Sequence, residues 1–201
     1  MSGEPGPDAA HPREEVEVKL PARNLGALRE SLRDQGATLL APMHEEVNDL
    51  YDFLPSPAED ASRSLAASGR TVRLRTAAGR SIVTYKGKAR FQNGVKIREE
   101  REVEVSDGGE AHGILEGLGL TRRFRYEKRR EEWSLEGCAV ALDQTPIGDF
   151  VEVEGDPAAI RKVFVRLGLD FGEAIPYSYA ELYQRRRKEE SSLPPDMVWR
   201  R

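Results

Sequence analysis

The chain has 201 residues, 38% hydrophobic and 33% charged, with Lys plus Arg at 31, Asp plus Glu at 35 and a formal net charge of −4. That length suits one domain or two very small ones; the composition excludes the run of about 18 apolar residues needed for a membrane-spanning helix, and the balance of signs lacks the basic excess of a nucleic-acid binder. A single cysteine, Cys138, excludes an internal disulfide and a cysteine-based zinc site and suits a reducing compartment, and Met1 to Arg13 lacks the apolar segment of a secretory signal, so a soluble cytoplasmic protein is expected.

Along the chain, Met1–Arg13 carries Pro5, Pro7 and Pro12 among small polar residues and is expected to be a disordered leader. Alternation then begins: Val16, Val18 and Leu20 fall on one face of a strand, Glu15, Glu17 and Lys19 on the other. Asn24 is placed to cap a helix bearing Leu25, Leu28 and Leu32, stopped by Gly36. Pro55–Ser68 has no periodicity and predicts an exposed loop. Val72 and Leu74 oppose Arg73 and Arg75, Lys86 lies on the polar face of the next strand, and Gly87 and Gly94 mark a turn. Arg98, Glu100, Glu102 and Glu104 share a strand face, and a helix is expected over Glu110–Leu118. Lys128 and Arg130 share a face, Val140 and Leu142 oppose Asp143, and Val151 and Val153 oppose Glu152 and Glu154. Asp156-Pro157 is an N-cap with proline at the first helical position, opening a helix with Ile160, Val163, Phe164 and Leu167 that Gly168 closes. Tyr177–Arg187 predicts a last helix, and Trp199 in the segment after it either docks on the body or has no role. The organisation expected is a leader at 1–13, a folded domain at 14–184 and a loose charged tail at 185–201.

The polar strand faces collect seven acids (Glu15, Glu17, Glu100, Glu102, Asp143, Glu152, Glu154) and seven bases (Lys19, Arg73, Arg75, Lys86, Arg98, Lys128, Arg130). A solvated antiparallel sheet explains mixed charges as ordinary cross-strand pairs. Three details point further. Same-sign residues recur at i and i+2, about 6.5–7 Å apart on one face, and so concentrate like charge. Oxygen-only acids suit Mg²⁺ or Mn²⁺, while Arg forks and Lys points suit phosphates. The apolar faces match the helices, so a sheet that closes on itself would line its lumen with the charge. Neither a G-x-x-x-x-G-K-[ST] loop, a G-x-G-x-x-G turn, a nucleophile elbow nor a Cys/His pair is present.

Glu15-Val16-Glu17-Val18-Lys19 resembles the E-x-E-x-K signature of the CYTH superfamily, the triphosphate tunnel metalloenzymes. The resemblance continues in order through Arg73-Leu74-Arg75, Thr84-Tyr85-Lys86-Gly87, Lys96-Ile97-Arg98-Glu99-Glu100, Glu127-Lys128-Arg129-Arg130 and Ile147-Gly148-Asp149-Phe150-Val151-Glu152-Val153-Glu154, covering Glu14 to about Tyr183. Ser178-Tyr179-Ala180-Glu181-Leu182 and the Glu127 and Gly148 stretches are most similar to class IV adenylate cyclases and their bacterial relatives. The family often has D-x-Y-[FY]-D where Asp49-Leu50-Tyr51-Asp52-Phe53 stands, with the last two residues here exchanged.

The resemblance implies an α+β fold: a mostly antiparallel, closed eight-stranded β-barrel with helices outside and a charged tunnel within. It also implies that Glu15, Glu17, Asp143, Glu152 and Glu154 hold Mg²⁺ or Mn²⁺, with Glu100 and Glu102 further candidates for metal or for orienting bases. Lys19, Arg73, Arg75, Lys86, Arg98, Lys128 and Arg130 would clamp a triphosphate. Lys19, Tyr51 and Lys86 are the catalytic candidates, Tyr51 with Lys86 matching a tyrosine–lysine pair of thiamine triphosphatases. The activity expected is ATP to cyclic AMP and pyrophosphate. The alternative is hydrolysis of inorganic triphosphate, thiamine triphosphate or a nucleoside triphosphate, with a non-catalytic polyphosphate- or nucleotide-binding module behind both. The expected partner is that small molecule, with the chain a monomer or homodimer.

Overall fold

The computed structural model describes residues 13–54 and 63–200. Its elements are β1 (Arg13–Pro21), α1 (Leu25–Asp34), β2 (Thr38–Phe53), β3 (Thr71–Ala77), β4 (Arg80–Lys86), β5 (Arg90–Gln92), β6 (Val95–Val105), α2 (Gly108–Gly117), β7 (Leu120–Leu135), β8 (Cys138–Thr145), β9 (Gly148–Glu154), α3 (Pro157–Leu167) and α4 (Tyr179–Glu189). Arg13 already belongs to β1; the rest of the expected leader, and Pro55–Ser62 of the expected loop, lie outside the described residues. No helix among the described residues is long and apolar enough to cross a membrane.

Eight strands pair in the cyclic order β1-β9-β8-β7-β2-β3-β4-β6, and the ring closes where β1 meets β6 from Arg13↔Glu100 to Glu17↔Lys96. Every pairing in the ring is antiparallel. β5 folds back on β6 as a short hairpin arm beside the ring. The fold is therefore the expected closed eight-stranded α+β barrel.

Period-two alternation sends the apolar residues outward to the helices. Val18, Leu20, Val140, Leu142, Val151 and Val153 form one core with Ile160, Val163, Phe164 and Leu167 of α3 and with Leu25 and Leu32 of α1. Each such side chain contributes about 1.5–3 kcal/mol on full burial. The caps follow their residues. Asn24 accepts from the Ala27 N–H at 3.0 Å, Asp156 accepts from Ala158 at 2.8 Å, and Gly168 ends α3 at φ +63°, a left-handed conformation that needs no Cβ. A second core joins Tyr51, Leu74 and Leu120 to Ala111 and Leu115 of α2.

The segment after α4 is docked, where a loose tail was expected. β7 runs past the end of β8, which leaves the edge at residues 125–127 open. Met197 takes that edge in a parallel bridge opposite Tyr126: its N–H donates to Arg125 O and its carbonyl accepts from the Glu127 N–H, both at 2.9 Å. The Met197 side chain is fully buried among Phe124, Tyr126, Phe150, Tyr179 and Tyr183. Trp199 docks too, its N–H donating to Glu127 at 3.1 Å and its ring lying under the Arg129 guanidinium.

Candidate active site

Residues at i and i+2 on each strand point inward together, so closing the ring brings their side chains into one cavity of about 620 Å³. Glu15, Glu17 and Lys19 come from β1, Arg73 and Arg75 from β3, Lys86 from β4, Arg98, Glu100 and Glu102 from β6, Lys128 and Arg130 from β7, and Glu152 and Glu154 from β9. Thirteen of the sequence-nominated residues thus line the same lumen. Ser178, Tyr179 and Ala180 at the start of α4 also line it.

Acids and bases alternate in space. Lys86 Nζ lies 2.7 Å from Glu15 and 3.0 Å from Glu100, and Arg98 Nε reaches the other oxygen of Glu15 at 2.8 Å. Lys96 donates to Glu17 at 2.8 Å, Lys19 lies 3.1 Å from Glu152, and Arg130 also bonds Glu152. Glu102 accepts from Thr84 at 2.7 Å and from Arg73 at 3.2 Å. Burial alone would raise the Glu15 carboxyl, but Lys86 and Arg98 outweigh it and hold it at about 2. Glu100 shares Lys86 with Glu15 and has less compensation; burial, with repulsion from Glu15 and Glu102, pushes it up to about 7.

Tyr51 lies elsewhere. Glu46, Asn48 and Leu50 carry the inward parity of β2, so Tyr51 faces outward, where its hydroxyl meets His112 Nδ1 of α2 at 2.7 Å. It is not near Lys86, and the expected tyrosine–lysine pair is not formed. Asp52, the exchanged residue, ties down the turn at residues 64–66, accepting from Ser64 Oγ at 2.8 Å and from the Leu65 and Ala66 N–H groups at 2.7 and 3.1 Å. Asp143 is fully buried under the lumen wall, and its oxygens accept from Arg130 Nε at 2.7 Å, Arg130 Nη2 at 2.6 Å, Lys128 Nζ at 3.1 Å and Tyr179 Oη at 2.7 Å. These four donors surround Asp143, expected among the metal ligands, and it is not among the residues that line the lumen.

Sequence reasoning missed several members. Lys96 has the parity of Arg98, Tyr126 that of Lys128, and strand parity identifies both. Glu46, buried and 3.4 Å from Lys128 and 3.7 Å from Arg75, sits on a strand whose alternation is broken by register shifts between Leu39 and Ala41 and between Ala41 and His44. Tyr179 comes from a helix, where no strand period applies.

The donor set fits a hard divalent cation. It is made of carboxylate oxygens, the ligands such an ion prefers, and Glu17, which already holds the Lys96 ammonium, stands directly opposite Glu154 across β1 and β9. Glu152 and Glu15 add further negative field at Glu17. Among the described residues no three such side chains are grouped closely enough to form a finished metal shell; Glu15, Glu17, Glu100, Glu102 and Glu152 each lie against a Lys or Arg.

Comparison with known proteins agrees with this architecture. Over 141 residues the chain is 27% identical to a putative adenylate cyclase of Methanocaldococcus jannaschii, covering 70% of this chain and 75% of that one. A putative adenylate cyclase from Vibrio parahaemolyticus superposes with a TM-score of 0.70 at 19% identity, over 86% of this chain and 99% of its own. A putative adenylyl cyclase from Hippeastrum, described as having a dominant triphosphatase activity, superposes with a TM-score of 0.62 at 17% identity, over 86% and 96% of the two chains. These two structures share the fold. The CYTH domain model matches residues 13–165, the span that holds all eight barrel strands and every strand-borne residue of the lumen, and the chain belongs to the CYTH family.

Proposed function

We propose that the chain is a divalent-metal-dependent enzyme acting on a triphosphate held in the barrel lumen, with ATP cyclised to cyclic AMP and pyrophosphate as the reaction. The observation that carries this reading is the convergence of Lys19, Arg73, Arg75, Lys86, Arg98, Lys128 and Arg130, from five different strands, on one cavity. A triphosphate carries about four negative charges and enough oxygens to meet several Arg forks and Lys points at once. The cyclase reading is supported by the Methanocaldococcus jannaschii relative.

The chain's own part is positioning and charge compensation, which phosphoryl transfer chiefly needs. Arg73 and Arg75, two residues apart on β3, take adjacent phosphates; Lys128 and Arg130, held from behind by Asp143, present their remaining donors to the lumen. Lys19 and Lys86 are likewise buried against carboxylates. The barrel wall limits bulk water around the chain of phosphates. Glu17, Glu152 and Glu154, with Glu15, Glu100 and Glu102 beside them, would hold a divalent cation. Bound there, such a cation supplies charge neutralisation and activation of an attacking oxygen. Glu100, with a carboxyl near neutrality, is suited to hold or release a proton on its carboxylate oxygens at physiological pH.

Hydrolysis is the second reading: the same clamp and cation would serve attack by water on the terminal phosphorus, and the Hippeastrum protein that shares the fold is described as having a dominant triphosphatase activity. The two differ in product. Incubation with Mg²⁺ or Mn²⁺ and ATP, thiamine triphosphate or inorganic triphosphate, followed by separate assay of cyclic AMP, pyrophosphate and phosphate, distinguishes them. Cyclic AMP with pyrophosphate from ATP supports the cyclase; phosphate without cyclic AMP, released together with ADP, with thiamine diphosphate or, from inorganic triphosphate, with pyrophosphate, supports the hydrolase; no turnover of any triphosphate with either metal removes both.

A further inference from the structure

Tyr179 stands in the first turn of α4, directly after Ser178, whose side chain and that of Glu181 form a reciprocal capping box. Its ring is buried and touches two sides of the barrel at once. The Lys19 ammonium of β1 sits 4.0 Å from the ring centroid, and the Lys128 ammonium of β7 sits 5.4 Å from it. The hydroxyl donates to Asp143 at 2.7 Å, Phe150 meets the ring edge-on at 5.2 Å, and Lys19 also donates to the Tyr177 carbonyl at 3.3 Å. In the ring of strands β9 and β8 lie between β1 and β7. Lys19 and Lys128 are therefore not cross-strand neighbours, and where their ammonium groups end is left to their side-chain contacts; the ring of Tyr179 meets both, and the Glu152 carboxylate attracts both.

Resting on the triphosphate reading above, we propose that Tyr179 is a specificity-determining residue: by seating Lys19 and Lys128 against one anchored ring, it fixes their spacing and so the length of phosphate chain that the lumen grips. Two long, flexible side chains left to themselves re-aim toward any anion. Held at one separation, they meet oxygens on a chain of matching length and miss those of a shorter one. Asp143 completes the device, since the carboxylate that anchors the phenol also binds Lys128. Burial, with the charges of Asp143 and Glu152, pushes the phenol well above its ordinary range, so it remains a donor to Asp143 and is no candidate for a general base. Tyr179 acts through the lysines and is a positioning group.

The test is calorimetric titration of the full chain with inorganic pyrophosphate, triphosphate and tetraphosphate, for the wild type, Tyr179→Phe and Tyr179→Leu. The wild type is expected to prefer triphosphate to pyrophosphate. In Tyr179→Leu, triphosphate affinity should fall about tenfold and pyrophosphate affinity less than about threefold, so that the preference collapses. Tyr179→Phe keeps the ring over both lysines but loses the anchor, and its preference should fall between the two. A merely structural role would weaken all three anions in parallel, and that result, or an unchanged ratio, overturns the proposal. Thermal melts check that the variants fold. If Tyr179→Leu does not, Tyr179→Phe decides, an unchanged preference in that variant counting against the proposal. A wild type that binds triphosphate no better than pyrophosphate overturns the functional reading itself; a wild-type preference that both variants retain overturns only the role of Tyr179.

Discussion

The Tyr51 hydroxyl lies 2.7 Å from His112 Nδ1, on the outer wall of the barrel, with the β2 backbone between it and the lumen. Its neighbours there are Leu65, Leu74, Ala111 and Leu115, and the phenol, raised to about 12 by burial and by Asp49, stays protonated at neutral pH. Tyr51→Phe should cost about 1 kcal/mol of stability, the value of one lost hydrogen bond, and leave turnover of any triphosphate within about twofold. Thermal melts and steady-state rates check this. A loss of turnover far beyond the loss of stability would place the phenol in the chemistry after all.

Tyr51 also shows where the sequence was legible and where it was not. On β1, β3 and β9 the alternation is clean, so the lumen face of Glu15, Glu17, Lys19, Arg73, Arg75, Glu152 and Glu154 follows from side-chain period alone. β2 offers no such reading: Thr38–Phe53 mixes apolar and polar residues, and the register slips at three places against β7. Its inward residues Glu46 and Asn48, and the outward one Tyr51, cannot be sorted without the partner strand. Helix caps at Asn24, Asp156 and Gly168 were legible because they are local. The docking of Met197 on β7 was not, since a single-residue bridge to an edge some seventy residues earlier leaves no periodic trace.

That bridge has a measurable consequence. Met197 is fully buried in the aromatic cluster that also holds Tyr179 and Tyr183, and Tyr183 Oη donates to the carbonyls of Pro194 and Asp196 at 3.0 and 3.1 Å. Met197→Ala should destabilise the fold by about 2–5 kcal/mol, as for other methionines lost from a packed core. Urea melts give the number. A change below about 0.5 kcal/mol, the size of an ordinary surface substitution, would mean that the segment is not docked in solution.

The phosphate clamp predicts a loss in binding that differs from the loss in stability. Arg73 is largely buried, and its hydrogen bonds run to Thr84 and Glu102 at 3.2 Å, both inside the lumen wall. Arg73→Ala should weaken inorganic triphosphate binding by about 1.5–3 kcal/mol, the value of a charged hydrogen bond. Stability should change less, because Arg75 lies two residues away on the same face and the substitution relieves their repulsion. AMP should bind far more weakly than ATP. Equal affinities for AMP and ATP, measured by calorimetry, would mean that the site reads the nucleoside and not the phosphates.

Glu100 and Glu15 compete for one ammonium, and the pH dependence of stability should reveal the loser. Lys86 Nζ sits 2.7 Å from Glu15 and 3.0 Å from Glu100, but Glu15 also holds Arg98. Glu15 is accordingly depressed to about 2 while Glu100 is raised to about 7 from an ordinary 4.5. The two act on stability in opposite windows. For Glu100 the folded state binds the proton more tightly than the unfolded one, so its contribution is fully present below 4.5 and is lost as pH rises through about 7. For Glu15 the folded state binds it less tightly, so its contribution is present above 4.5 and is lost as pH falls toward about 2. Glu100→Gln removes the first effect without changing the shape of the side chain. It should therefore gain stability relative to the wild type between pH 4.5 and 7, the gain levelling off above that window. Glu15→Gln should be less stable than the wild type at pH 7, since it leaves Arg98 and Lys86 without their carboxylate, and the gap should narrow in acid. Chemical denaturation at a series of pH values, read as the midpoint difference between each variant and the wild type, separates the two. A Glu100→Gln curve parallel to the wild type from pH 4.5 to 8 would show that Glu100 ionises normally and that Lys86 serves both carboxylates equally.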